Sequence, residues 1–266
     1  MINYVCPIDK SVLFVPLKPA PEFPVLHCPT CGRDYAYKDD IPILLPPQLR
    51  EQIDFDDYKY LDDPIHPAWN AGLVTTRSFV DSQLHYEKLL NMETFSGNRY
   101  RWFRDKAQGD YVIDIGCNGG GVTNLLEGDR ATYGLDFLLR HLLHAKRTCK
   151  PSIKWVNAAA EYLPFPDNSF NTTCLGEMME HVPNPQLAAL EAVRVLKPGA
   201  KLLIVNQDKS KEFRPGTVRH TMNPCNGDEL KIFLDTLPIE YSIEWKEGTP
   251  PGSDPDGWFV EGFKND

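Results

Sequence analysis

Residues 112–121 read Val-Ile-Asp-Ile-Gly-Cys-Asn-Gly-Gly-Gly, an apolar run that ends in a glycine-rich bend. Glycine enters positive φ at little cost, so such a bend turns sharply and lets backbone approach a ligand closely. Exposed amides at the start of a following helix attract a negatively charged group. Dinucleotide enzymes use the same device, so the bend alone names no ligand. Two carboxylates narrow the chemistry. Asp114 stands at the strand end ahead of the glycines, where it could receive an ammonium group. Asp136 follows the bend at about twenty residues, where a carboxylate can accept hydrogen bonds from both hydroxyls of a ribose.

A second cluster lies near the N-terminus. Cys6-Pro7-Ile8-Asp9 precedes Cys28-Pro29-Thr30-Cys31-Gly32 by about twenty residues. Paired thiolates at that separation are how a metal ties together a β-rich module too small to bury a core of its own. Seven cysteines, at 6, 28, 31, 117, 149, 174 and 225, are an odd number and spread too widely for a disulfide framework. Cys28 and Cys31, two residues apart, therefore suggest metal before disulfide. A carboxylate is an acceptable zinc ligand, although four cysteines are the commoner structural set. His27 could substitute. The rival reading is a metal-free module held by Val5, Leu13, Val15, Val25, Tyr35 and Ile43.

Alternating strands and helices must position the glycine bend. Strands are expected at 111–115, 131–135, 153–156, 171–175, 201–205, 239–245 and 258–263. Helices are expected at 78–107 with a break near Ser96-Gly97, then 120–127, 137–148, 186–196 closed by Lys197-Pro198-Gly199, and 228–237. Seven strands with interleaved helices make a doubly wound α/β sheet. Composition divides the chain into a β-rich module at 1–47, an acidic linker at 48–77 and the large α/β domain at 78–266.

The stretch 112–121 resembles the first motif of class I S-adenosylmethionine-dependent methyltransferases, especially the group that includes ubiquinone and menaquinone methyltransferases. The match continues in order through Glu161-Tyr162-Leu163-Pro164-Phe165-Pro166-Asp167-Asn168-Ser169-Phe170, Met179-Glu180-His181-Val182 and Arg194-Val195-Leu196-Lys197-Pro198-Gly199. The resemblance implies a Rossmann-like seven-stranded sheet with helices on both faces, and S-adenosylmethionine as cofactor. It implies that Asp114, Gly116, Cys117, Asn118, Gly119 and Gly120 hold the methionine end and Asp136 the ribose. Phe137 would pack on adenine, Ala160 and Glu161 would border it, and Leu175 and Gly176 would pass beneath the sulfonium. The chain departs from the family at three positions. Asn118 stands for the second glycine, Ala159 for an acidic residue that contacts the adenine amino group, and Ala200 for the second glycine of a Pro-Gly-Gly turn. Residues 3–47 are similar to the zinc-ribbon family of small methyltransferase activator subunits, with Asp9 where the fourth cysteine would be.

The acceptor is less legible. His181 is the candidate general base and His220 another, while His85, Tyr86 and Tyr100 in the preceding helices could line a lid. A net charge of −9 argues against a polyanionic partner, and residues 1–50 balance at five basic and five acidic. Arg99, Arg101, Arg104 and Lys106 form one basic cluster, read as a solvated helix face. A small-molecule acceptor, methylated at oxygen, nitrogen or carbon, is therefore favoured over rRNA or tRNA. A non-catalytic scaffold is the third reading, supported by Asn118 and Ala159. No apolar run is long enough to span a membrane, and no secretory signal is evident, so the expectation is a cytoplasmic protein.

Overall fold

The computed structural model describes residues 2–16, 25–50, 95–179, 182–207, 227–246 and 257–266. The 51–77 part of the expected linker and the 78–94 part of the first expected helix lie outside the described residues. So do His85, Tyr86, His181 and His220.

Seven strands form one sheet: β4 (Tyr111–Ile115), β5 (Ala131–Asp136), β6 (Lys154–Asn157), β7 (Phe170–Gly176), β8 (Leu196–Gln207), β9 (Ile239–Lys246) and β10 (Gly257–Lys264). Their order is β6-β5-β4-β7-β8-β10-β9. The first five run parallel, and β10 is antiparallel to both β8 and β9. Strand order reverses direction at β4, so a crevice opens at the carboxyl ends of β4, β5 and β7, where ligands of open α/β sheets bind. The glycine bend leaves β4 at that point.

Two-residue alternation sends β4 side chains to opposite faces. Ile113 and Ile115 join Ala188, Ala189, Ala192 and Val193 of helix α5 (Pro185–Arg194) in one apolar core. Val112 packs on the other face with Trp102 and Phe103 of α2 (Phe95–Lys106) and Leu126 of α3 (Gly121–Leu126). Helix α4 (Leu139–Thr148) applies Leu139, Leu142, Leu143 and Ala145 to Trp155 of β6, while Lys146 and Arg147 complement the dipole of its last turn. The remaining helices are the short α1 (Pro47–Arg50) and α6 (Gly227–Leu234). Helices thus cover both faces of the sheet, as expected.

Two local expectations are corrected. Helix α2 runs unbroken through Ser96 and Gly97, because both fall in its first turn. Helix α5 begins at Pro185 behind the Asn184 side chain, which accepts the Leu187 amide at 3.0 Å. It stops at Arg194, so Lys197-Pro198-Gly199 does not close it. Those residues lie inside β8, where pairing shifts register between Phe170 and Thr172 of the neighbouring strand and Gly199 takes φ +67°.

The N-terminal segment forms a small antiparallel sheet of β1 (Val25–His27), β2 (Asp34–Lys38) and β3 (Ile41–Pro42). It shares the large domain's core: Leu13, Leu26, Tyr35 and Leu44 join the cluster that holds Tyr133, Val156 and Phe165. Ile43 bridges Asn157 in parallel fashion at the β6 edge, and the Leu44 amide donates to the Asn157 carbonyl at 2.8 Å. An ionic clamp closes the other side. The Lys10 ammonium donates to Glu191 at 2.8 Å and to the Leu163 carbonyl at 3.1 Å, and Arg194 joins Glu191, Asp167 and the Phe165 carbonyl. Val15 is exposed, so it contributes nothing to the small module's interior, whereas Val5, Leu13 and Tyr35 are buried.

Gly134 is required by close packing, since a Cβ there would stand 2.3 Å from the Trp155 ring. Gly134→Ala is expected to cost about 1–3 kcal/mol through overpacking. Urea unfolding at equilibrium measures it, and an unchanged midpoint would show that Trp155 simply moves aside.

Candidate functional site

The crevice widens into a cavity of about 870 Å³. Gly116, Cys117 and Asn118 of the bend line it, with Asp114 beneath and Asp136 and Phe137 beyond β5. Ala158 to Tyr162, including the 3-10 turn Ala160–Tyr162, form one wall; Gly176, Glu177 and Met178 after β7 form another. Arg99 and Tyr100 reach in from α2, and Leu49 from α1. Of the residues expected to hold cofactor, Asp114, Gly116, Cys117, Asn118, Asp136, Phe137, Ala160, Glu161 and Gly176 border this space. Gly119, Gly120 and Leu175 do not. Gly120 is pressed against α4 and β6, where a Cβ would meet Trp155 at 2.7 Å and Cys149 at 2.9 Å, and Leu175 points into the core shared with α5.

Asn118 adopts φ +49°, so the asparagine performs the left-handed turn that a glycine would. Its amide donates to one oxygen of Asp136 at 2.8 Å. The other oxygen accepts the Leu138 amide at 2.8 Å and faces Nδ1 of His141 at 3.3 Å. Asp136 therefore pins the glycine bend to the start of α4 while remaining on the cavity wall. His141 is buried and lines the same space.

Asp114 accepts the Thr123 hydroxyl at 2.6 Å and is otherwise enclosed. Burial lifts its carboxyl to about 6; the Thr123 hydrogen bond opposes the rise and the Asp136 charge adds to it. That rise corresponds to a cost on the order of 3 kcal/mol for keeping the carboxylate ionised at neutral pH. The folded chain binds this proton more tightly than the unfolded chain. Its contribution to stability is thus full below the ordinary value of 3.8 and is lost as pH rises through 6. An arriving cation would remove that penalty.

The adenine end expected from sequence is apolar. Leu45 and Ala159 are buried together, with Ile43, Leu49, Phe137 and Tyr162 around them. Glu161 is turned away from a free role, since one of its oxygens accepts the Asn184 amide at 3.3 Å.

Arg99 was legible only as one of four clustered cations. The structure separates them: Arg99 enters the cavity and pairs with Glu177, Lys106 reaches Glu261 at 2.6 Å, and Arg104 stays at the surface with Asp105. Neither Arg99 nor Glu177 carried a motif signal. A cation one helix ahead of the first strand, facing inward at helical spacing, is the only cue that could have found Arg99.

The N-terminal cluster assembles as expected from spacing. The ligand atoms of Cys6, Asp9, Cys28 and Cys31 all lie within 4.8 Å of one another. Cys6 and Cys31 sulfurs are 3.8 Å apart, and Cys28 Sγ lies 3.3 Å from Asp9 Oδ2. A tetrahedron with zinc–sulfur bonds of about 2.3 Å has sulfur–sulfur edges of about 3.8 Å, and sulfur–oxygen edges of about 3.5 Å. The donor set fits. The Ser11 amide holds the Asp9 carboxyl down at about 2, so it is ionised at any working pH. His27 is engaged elsewhere, with Asp34 at 2.7 Å.

Comparison with known proteins bears on the large domain. A family model described as "Methyltransferase domain" matches residues 113–204. The chloroplastic 2-phytyl-1,4-beta-naphthoquinone methyltransferase of Arabidopsis thaliana is 33% identical over 116 residues, covering 40% of this chain and 44% of that protein. The ubiquinone biosynthesis O-methyltransferase of Paracidovorax citrulli is 37% identical over 101 residues, covering 35% and 41%. The chain thus spans less than half the length of these curated relatives. Among solved structures, a chain of the Haloferax volcanii complex between the Trm112 methyltransferase activator and a methyltransferase superposes with a TM-score of 0.55 at 15% identity, over 71% of this chain and 97% of that one. The [4+2]-cyclase SpnF superposes with a TM-score of 0.54 at 14% identity, over 71% and 94%. Both likenesses are of fold. Strand order and matched segment agree: residues 113–204 match a methyltransferase domain, and the fold around them is that of solved methyltransferases.

Proposed function

We propose that this protein transfers a methyl group from S-adenosylmethionine to a small molecule of quinol or phenol type. The observation that carries the reading is the pair Asp114 and Asp136 on one continuous cavity wall, on either side of the Asn118 turn. Asp114 meets the ligand's ammonium group and Asp136 its ribose hydroxyls. Phe137, Ala159 and Leu49 enclose the adenine, with apolar contact in place of the hydrogen bond lost at Ala159. Bound there, the cofactor supplies an electrophilic methyl on a sulfonium. The chain's part is to hold the acceptor in line with it, which accounts for much of the acceleration in such displacements. Tyr100, Met178, Val182 and Leu187 give the remaining wall a mostly apolar character suited to a ring. A relative acting on 2-phytyl-1,4-beta-naphthoquinone and another on a ubiquinone precursor pathway support that acceptor class.

A nucleic-acid acceptor is disfavoured by the cavity itself. Its described lining holds Asp114, Asp136, Glu161 and Glu177 against Arg99, a poor setting for phosphate. The scaffold reading loses one of its two supports, because Asn118 makes the required turn. The cyclase with the same fold shows why activity needs its own test. We also propose zinc in the Cys6-Asp9-Cys28-Cys31 cluster, where it would anchor the module that carries β3 and α1 against the large sheet.

Binding of S-adenosylhomocysteine by calorimetry tests the reading. Asp136→Ala should weaken it by about 10- to 100-fold, the worth of a charged hydrogen bond; an Asp114→Ala, Asp136→Ala double variant with native affinity would sink the assignment. Affinity should also fall as pH drops from 7 to 5, by up to about tenfold per unit once Asp114 takes its proton below 6. Asp114→Asn should abolish that slope, and a flat profile for the native protein would contradict the ammonium role. Metal analysis should find one zinc per chain and none in Cys28→Ser, whose melting temperature should be lower; metal-free native protein would refute the zinc site.

A further inference from the structure

One wall of the cavity carries almost no hydrogen-bonding capacity. Leu45 and Ala159 are buried together, and Ile43, Leu49, Phe137 and Tyr162 pack around them. Leu49, Phe137, Ala159 and Tyr162 face the cavity. The Tyr162 hydroxyl is the only polar side-chain group of this cluster among the described residues. Nearby backbone carbonyls already accept hydrogen bonds: Pro46 from the Leu49 amide at 3.0 Å, Ala159 from the Tyr162 amide at 3.1 Å, and Phe137 from Asn157 Nδ2 at 2.8 Å. Asn157 Oδ1 is buried with no hydrogen-bond partner among the described residues, yet Asn157 does not border the cavity. Glu161 does border it, but is held by the Asn184 amide at 3.3 Å.

Adenine carries an exocyclic amino group with two N–H donors. Water satisfies both before binding, whereas this wall offers neither an uncommitted carboxylate nor an amide among the described residues. An unmet buried donor is costly, so the amino group gains nothing here. We propose that the site selects the purine of its cofactor by shape and not by its amino group, with Ala159 and Leu49 as the residues that set this specificity. The inference rests on the proposed cofactor reading and adds which part of the base goes unread. A pocket built to bond an N–H rejects an analogue that lacks it by orders of magnitude, while an apolar pocket separates close analogues only weakly. The polar ends of the ligand stay under the control of Asp136 and Asp114, so a loosely read base does not loosen the ligand's register. Leu49 comes from α1, beyond the small sheet, so this specificity is set by two distant parts of the chain.

Calorimetry with S-adenosylhomocysteine and its 6-deamino analogue, which carries hydrogen at C6, tests this. Ring nitrogen N1 remains an acceptor in both, so the amino group is the difference that is read. The native protein should bind the analogue within about threefold of S-adenosylhomocysteine, or more tightly. Ala159→Asp places an acceptor in the wall and should raise the preference for the amino-bearing ligand by about 10-fold or more. Ala159→Ser, a smaller insertion, should shift it the same way by a few-fold and covers a failure of the aspartate variant to fold. Leu49→Ala should weaken both ligands by the same factor, about 3- to 10-fold, through lost apolar contact. A native protein that binds the analogue more weakly by about 10-fold or more reads the amino group, through Asn157, Tyr162 or Glu161, and the proposal is overturned. An unchanged preference in the folded Ala159 variants overturns it too, as does an unequal effect, or none, of Leu49→Ala on the two ligands. Failure of the native protein to bind either nucleoside removes the cofactor reading itself, a result distinct from all of these.

Discussion

The site depends on one carboxylate holding two chain reversals together. Asp136 closes β5, accepts the Asn118 amide from the bend after β4 and accepts the Leu138 amide at the head of α4. Without it, two loops carrying buried donors would separate, and each unmet donor would cost about 1–3 kcal/mol. The left-handed turn at Asn118 is worthwhile only because its amide then points at this acceptor. Asp114, one strand over, sits in register beside Gly134 of β5 and Cys174 of β7. Its place is set by the sheet, and its discomfort there is set by burial. The walls of the cavity are thus a by-product of strand register plus one hydrogen-bonded pin.

The small module is bound to this arrangement from two directions. Strand β3 leads into the Asn157 edge of β6, and the residues that follow, Leu45 and Leu49, cover Ala159 and Phe137. On the far side, Lys10, Glu191 and Arg194 fasten the module and the Leu163–Asp167 segment to α5. Burial lowers the Lys10 ammonium, although Glu191 opposes that shift; burial raises the Glu191 carboxyl, but Arg194 and Lys10 reverse the net effect. Partly buried ions of this kind are retained through mutual hydrogen bonding, since each would be costly alone. The wall of the proposed adenine pocket is therefore a joint product of both parts of the chain.

What could be read beforehand followed local signal strength. The core strands show themselves as short apolar runs, and the structure moves their ends by only one residue in most cases. The glycine bend and Asp136 are legible because backbone geometry forces residue types at fixed separation. The closure of α5 was misread, since Pro198-Gly199 has the chemistry of a helix stop yet serves as an irregularity in β8. Gly120 was read as ligand-facing although its missing side chain makes room for Trp155, a contact that depends on two elements packing. Arg99, Glu177 and Leu49 have no local signature at all: each reaches the cavity because a distant element happens to dock there. Tertiary placement of single side chains is the part that pattern alone does not carry.

The junction at Asn157 has a consequence for self-association. Strand β6 is the last strand of its side of the large sheet, and an open flank of paired-ready amides and carbonyls is a template for another chain. Here Ile43 and Leu44 occupy that flank, with the small sheet standing beyond them. A shortened protein beginning after residue 50 would bare both this flank and the apolar surface of Val156 and Phe165 now covered by Leu26, Tyr35 and Leu44. The N-terminal segment thus covers an edge that would otherwise lie open to pairing with another chain.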